Sequence, residues 1–343
     1  MTTMISPTLR HTLDRIAPLL DRNIATAILE RWDSLPIPAH ALGRLEDLVL
    51  HYGIIRSSAT PALHRKGLYV FCGDHAVTEE GVTLGLGDAT ARDVLQFIRG
   101  GAPGAILCRQ YGIDPVIVNT GLAGAHPPGA LDLRCATSAL NITKAAALTS
   151  EQATRALDTG LALAAEAAAR FDLVGLASLG AGSSVAAAAV FSALSARDAG
   201  ETVPRPRHLP EPAWHRAVAA VRTATARHST ELVTPFGALR CLGGTELAAM
   251  TGFLLGAAAA RLPVVIDGFC EAAAALLSRS LHPDSLDAAI FAQHTGDDAH
   301  GLLLSTLGVE PHLGLGLSAA PGCGAALLIH LLDSALRLFT EIQ

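Results

Sequence analysis

Gly67-Leu68-Tyr69-Val70-Phe71-Cys72-Gly73-Asp74-His75 is the stretch on which the architecture turns. A short apolar, β-prone run stops at glycine, acid and histidine, which is how a strand buried on both faces of a parallel sheet reads. Runs of the same kind recur at 115–119, 172–176, 262–266 and 288–292. Alanine-rich stretches with helical period occupy 89–112, 150–170, 184–196, 212–229, 246–260, 270–280 and 298–307. Alternating strands and helices imply an α/β fold with a doubly wound, mostly parallel sheet of Rossmann-like type. Upstream of the first strand, Leu9, Leu13, Ile16, Leu19 and Leu20 fall on one helical face. A second helix is expected near Ile24–Trp32, and a third opens at Leu42–Glu46, beyond Pro36 and Pro38. The Pro- and charge-rich segment 197–212 reads as an exposed loop.

Half of the 343 residues are apolar and 16% are charged, which excludes a disordered chain. Basic and acidic residues are scattered, with a net charge of −6. With no basic stripe carrying interleaved aromatics, nucleic acid is not an expected partner. The longest charge-free stretch, 22 residues between Glu310 and Asp333, contains Pro311, Pro321 and four glycines. Those residues would leave backbone groups open in lipid, so no membrane span is expected, and the stretch reads as a buried loop and a core helix. The start, MTTMISPTLRHTLDR, has no apolar segment of the kind a signal peptide needs. Six cysteines without a C-x-x-C pair suggest reduced thiols in a cytoplasmic protein and no metal site.

In such sheets ligands bind beyond the carboxyl ends of the strands. Gly180-Ala181-Gly182-Ser183-Ser184 leaves a strand and enters a helix, so its amides can cradle a mononucleotide phosphate or simply form a tight turn. It is neither a Walker A loop nor a dinucleotide fingerprint, because no Gly-Lys-Ser/Thr follows and Val185 takes the third glycine position. Asp74-His75 can be an acid–base pair or a turn cap. Asp267, behind four apolar residues, is costly to bury unless it is hydrogen-bonded, and so it belongs to the site with Gly268. His294 and His300 flank Asp297 and Asp298, while His208, His215 and His228 read as surface residues.

Together these strand ends resemble one family, the nicotinate-nucleotide–dimethylbenzimidazole phosphoribosyltransferases of cobalamin lower-ligand assembly. Phe71–Val82 is similar to that family's FAGDHGV-x-x-EGVS, Gln96–Ala102 to NFLRGGA, and Gly243–Ala249 to GGFEIAA. Leu262–Phe269 is similar to LPVLLDGF, and Leu42–Glu46 to LG-x-LE. The resemblance implies a Rossmann-like domain at 65–324 and a small helical domain formed by 1–64 with the helix at 325–343. It also implies a dimer and no cofactor. The family moves the phosphoribosyl group of nicotinate mononucleotide to a benzimidazole nitrogen, and a carboxylate takes the acceptor's proton.

Here the sequence departs from the pattern. The family's GEG-S/T-GA glutamate aligns with Pro321 in Ala320-Pro321-Gly322-Cys323-Gly324-Ala325. A second glutamate, in GEMGIGNTT, aligns with Ser178, and a Tyr-Pro pair aligns with Gly85-Leu86. The family's G-x-GTG loop has no match in 197–212. The expected donor site is therefore Gly180, Gly182, Ser183 and Ser184 for phosphate, with Asp267, Gly268 and His294 near the ribose. Thr83, Ser178, Pro321 and Gly322 are expected to line the acceptor pocket. Asp74, His75, Glu80, Asp297 and Asp298 are the candidates for a replacement base. Two functions follow: a divergent pentosyltransferase acting on a small aromatic acceptor, as a homodimer, or an impaired ligand-binding subunit that partners an active paralogue in a heterodimer.

Overall fold

The computed structural model describes residues 6–83 and 88–342. Gly85 and Leu86, aligned above with the Tyr-Pro pair, lie outside the described residues. Six parallel strands form one sheet: β1 (Lys66–Gly73), β2 (Ile113–Gly121), β3 (Leu131–Asp132), β4 (Leu173–Leu179), β5 (Val264–Ile266) and β6 (Ala289–Phe291). Their order is β3-β2-β1-β4-β5-β6, so the winding reverses between β1 and β4. That reversal leaves a crevice beyond the carboxyl ends, the usual ligand position in doubly wound sheets.

Alternate residues of β1 serve two cores. Tyr69 and Phe71 join the core on one face, with helices Ser150–Arg170, Ser183–Ser195, Thr245–Ala260 and Phe269–Leu281. Leu68, Val70 and Cys72 join the other, with Arg22–Asp33, Arg44–Arg56 and Cys323–Glu341. In that second core Trp32 meets Phe339 edge-on at 4.9 Å between centroids. The alanine-rich composition matters most between helices. At Gly160 a Cβ would run into the Ala249 carbonyl oxygen, so the backbones of Ser150–Arg170 and Thr245–Ala260 nearly touch. Helix Cys323–Glu341 is long and apolar enough to cross a membrane by length and composition, and it packs in the second core.

Several expectations need correction. The first helix, Pro7–Leu13, stops early, leaving Leu20 87% exposed. Pro18 has no N–H to donate and its ring clashes with the carbonyl four residues back, so the apolar period outlasts the helix. Stretch 89–112 is two helices, Asp88–Ile98 and Pro103–Tyr111, parted at Gly100 with φ +76°. Segment 197–212 contains a short helix, Ala199–Thr202, and buries Thr202 and Val203. The stretch ahead of helix Cys323–Glu341 is largely solvent-facing, with Leu315 exposed, because an irregular backbone needs water for its unpaired groups. His228 is buried, its Nε2 3.1 Å from the Ile142 carbonyl oxygen.

Candidate functional site

The switch point is tied together from inside. Asp74, just past β1, accepts from Ala123 N–H at 3.0 Å and Ala181 N–H at 3.1 Å, joining the loops that follow β2 and β4. Gly180 is required there, because a Cβ would collide with the Gly73 carbonyl oxygen. Gly182, at φ +86°, then starts helix Ser183–Ser195. His75 Nε2 lies 2.6 Å from Glu246 Oε1, with both side chains sealed from solvent. Burial, the largest single influence, lowers that imidazole, but the Glu246 charge, the Glu246 hydrogen bond and the Asp74 charge together outweigh it and hold His75 above its ordinary value. Asp74 and His75 thus brace the floor of the crevice and do not line its cavity.

The cavity itself, about 310 Å³, opens beyond β4, β5 and β6. That size and position suit a small-molecule site. Its polar wall includes Ser178 from β4, Asp267 just past β5 and Glu271 from the helix that follows. Asp267 accepts from Gly322 N–H and Ala325 N–H, both at 2.7 Å, so it caps helix Cys323–Glu341. Burial, then the neighbouring Glu271 charge, pushes its carboxyl up to about 7 against the pull of those amides. Glu271 is the third residue of helix Phe269–Leu281, and its Oε2 accepts from Gly268 N–H at 3.0 Å. This is the back-reaching half of a capping box. Its Oε1 accepts from the Ser178 hydroxyl at 2.6 Å. Burial raises the Glu271 carboxyl, with the Ser178 bond opposing.

The other anticipated residues divide. Thr83, Ser184, Gly268, Asp297 and Pro321 line the cavity with Ser178 and Asp267. Asp297 accepts from Ala299 N–H at 3.0 Å and from Arg205 N–H at 2.7 Å, which fastens segment 197–212 to the rim. Through that tether Val203, Pro204 and His208 become cavity wall, a role its loop-like composition hides. Gly180, Gly182, Ser183 and Gly322 shape the turns behind the wall. Glu80 is held elsewhere by Asn141 Nδ2 at 2.8 Å and Thr143 Oγ1 at 3.2 Å. Asp298 is exposed at the start of helix Asp298–Leu307. His294 turns away, its Nδ1 accepting from Gly296 N–H at 2.9 Å and its ring stacked on His300.

Glu271 is the residue that sequence reading missed. Its signal was available: one acid in the first turn of an alanine helix, following Gly268 at capping-box spacing. A second cavity, about 790 Å³, borders Arg92, Arg99 and His126, with no carboxylate in its wall among the described residues. His228, Glu231 and Cys241 bring ligand-type atoms within 4.8 Å. There Glu231 is already paired with Arg240, and His228 with the Ile142 carbonyl.

A family model described as "Phosphoribosyltransferase" matches residues 17–343. Among similar proteins, the nicotinate-nucleotide–dimethylbenzimidazole phosphoribosyltransferase of Chlorobium chlorochromatii is 33% identical, across 94% of this chain and 92% of its own. That of Ralstonia nicotianae is 34% identical over the same shares. The crystal structure of the enzyme of that name from Thermus thermophilus superposes with a TM-score of 0.86 at 31% identity, covering 93% of this chain and 96% of the other. The chain belongs to the nicotinate-nucleotide–dimethylbenzimidazole phosphoribosyltransferase family.

Proposed function

We propose that this chain transfers the phosphoribosyl group of nicotinate mononucleotide to a small aromatic azole. The observation that carries the reading is the cavity beyond β4–β6, in a chain of this family, with buried Asp267 and Glu271 in its wall and Ser184 of the glycine-rich strand–helix turn lining it. The phosphate sits over the turn Gly180–Ser184, with Ser184 facing it and the amino end of helix Ser183–Ser195 favouring its charge. The ribose lies beside Asp267 and Gly268. The acceptor ring lies between Thr83, Ser178 and Pro321, against the apolar wall of Val203 and Leu209. As the nicotinate leaves, positive charge grows on the sugar, and Asp267 beside it stabilises that charge.

Further features belong to the same proposal: a cytoplasmic enzyme, dimeric, with a small helical domain of 1–64 and 325–343 set against 65–324. Pro321 on the cavity wall, aligned with a family glutamate, favours a second reading as a ligand-binding subunit of a heterodimer. The deciding experiment is incubation of the purified chain with nicotinate mononucleotide and a panel of azoles and phenols. Nicotinate release and a ribosylated acceptor support the enzyme. Binding of the donor with no release at high enzyme concentration supports the subunit.

A further inference from the structure

Three carboxylates reach the cavity wall, and their partners separate them. Asp267 spends both oxygens on backbone amides at the start of helix Cys323–Glu341. Asp297 spends both on the amides of Ala299 and Arg205. A backbone N–H can only donate, so neither acid has a neighbour among these partners that could accept the hydrogen bond of an incoming proton. Glu271 is different. Its Oε2 has the Gly268 amide, but the partner of Oε1 is the Ser178 hydroxyl, which can donate or accept. When Oε1 takes a proton, the hydroxyl rotates and the 2.6 Å contact survives with donor and acceptor exchanged.

Ser178 is also the position that aligns with a family glutamate. A carboxylate therefore still stands at the end of β4, delivered by the helix that follows the neighbouring strand β5. We propose that Glu271 is the proton acceptor for the incoming azole, occupying with Ser178 the place a longer acidic side chain on β4 would fill. The inference rests on the transferase reading above. In the step, the azole's unprotonated ring nitrogen forms a bond to the ribose anomeric carbon. The bond from that carbon to the nicotinate nitrogen breaks, and its electron pair neutralises the pyridinium. The other azole nitrogen then loses its proton to Glu271 Oε1, and the proton passes to solvent after product release. Nicotinate mononucleotide and azole become ribosyl-azole phosphate, nicotinate and one proton.

The test pairs two acceptors, dimethylbenzimidazole, which must lose a proton, and 1-methylbenzimidazole, which has none to lose. With the first, Glu271→Gln should lower kcat by about 10²–10⁴-fold, the usual contribution of general base catalysis. With the second, kcat should change less than about threefold, and KM for nicotinate mononucleotide should hold for both. A purely structural role would depress both acceptors equally. The wild-type rate with dimethylbenzimidazole should rise with pH through a value above the ordinary glutamate range. The titratable groups that share the cavity with Glu271 are Asp267, Cys270, Asp297 and His208. Combining Ser178→Glu with Glu271→Ser moves the carboxylate back to β4 and should recover at least about tenfold over Glu271→Ser alone, a step of ~1.4 kcal/mol. Equal loss with both acceptors, or no loss with either, overturns the inference and leaves the transferase reading standing. No nicotinate release from the wild-type chain overturns both.

Discussion

Glu271→Gln also makes a prediction about folding that does not depend on turnover. The side chains of Asp267 and Glu271 are both buried, 5% exposed, in one wall. Asp267 is raised from 3.8 to about 7, by burial first and by Glu271 second. A carboxyl raised in the folded state stabilises the fold fully below its unfolded value, near 4. That contribution is lost as pH rises through the folded value, near 7. For Asp267 the full loss by pH 8 is on the order of 4 kcal/mol. Since burial is the larger cause, removing the Glu271 charge returns less than half, on the order of 1–2 kcal/mol. Gln keeps the local bonds: its carbonyl can accept from Gly268 N–H, and its amide can donate to Ser178. In a chain of this size that gain corresponds to a rise in Tm of roughly 1–3 °C at pH 8. Calorimetry of both proteins at pH 5 and pH 8, at one ionic strength, measures it. At pH 5, where the pair already holds its proton, the variant should match the wild type or fall below it. An equal Tm difference at the two pH values would refute the coupling, because a simple packing effect does not titrate.

Asp172 should show the opposite sign. Burial works against its charge, but the Arg65 amide at 2.9 Å and guanidinium at 2.9 Å, with the His64 amide at 3.1 Å, hold it below the ordinary carboxylate value. Asp172→Asn should therefore cost about 1–3 kcal/mol near pH 7, and the deficit should shrink as pH falls through the native value, followed by urea denaturation across pH 2–7. Gly160→Ala forces helices Ser150–Arg170 and Thr245–Ala260 apart and should cost at least ~2 kcal/mol, read as a lower urea midpoint at unchanged m-value. Gly180→Ala displaces the turn from the end of β1 and should raise KM for nicotinate mononucleotide by roughly tenfold or more, with a smaller change in kcat.

The sheet was legible because a strand buried on both faces leaves a local signature. The five apolar runs correspond to β1, β2, β4, β5 and β6 within a few residues, and the turn chemistry marks their carboxyl ends. β3 left none: it is two exposed residues, Leu131 and Asp132, paired by β2 alone. The site was harder to read. Asp267 announced itself, since an acid after four apolar residues has few places to go. Which acids reach the cavity depends on where loops cross it. The bond from the Arg205 amide to Asp297 holds 203–208 against the cavity as wall. Composition carries no trace of a tether between residues so far apart in the chain. Asp74-His75 read as a candidate acid–base pair for a related reason: a buried ion pair that braces a fold and a catalytic pair use the same residue types.

The sheet also explains why an acid can change its address without leaving the site. Adjacent strands lie about 4.8 Å apart, and their carboxyl ends open on the same crevice. A side chain on the last turn of β4 and one on the first helical turn after β5 therefore compete for the same volume. If the acid moves to the helix, the strand residue must shrink, and it must keep a polar atom to meet the newcomer. Serine does both, and Ser178 makes that bond at 2.6 Å. The arrangement also fixes the new acid, because the third helical position lets its second oxygen cap its own helix at Gly268. A motif comparison that follows one strand at a time scores this as the loss of a carboxylate. On the proposal above it is a transfer between neighbours across the sheet, with Ser178 and Glu271 sharing one hydrogen bond.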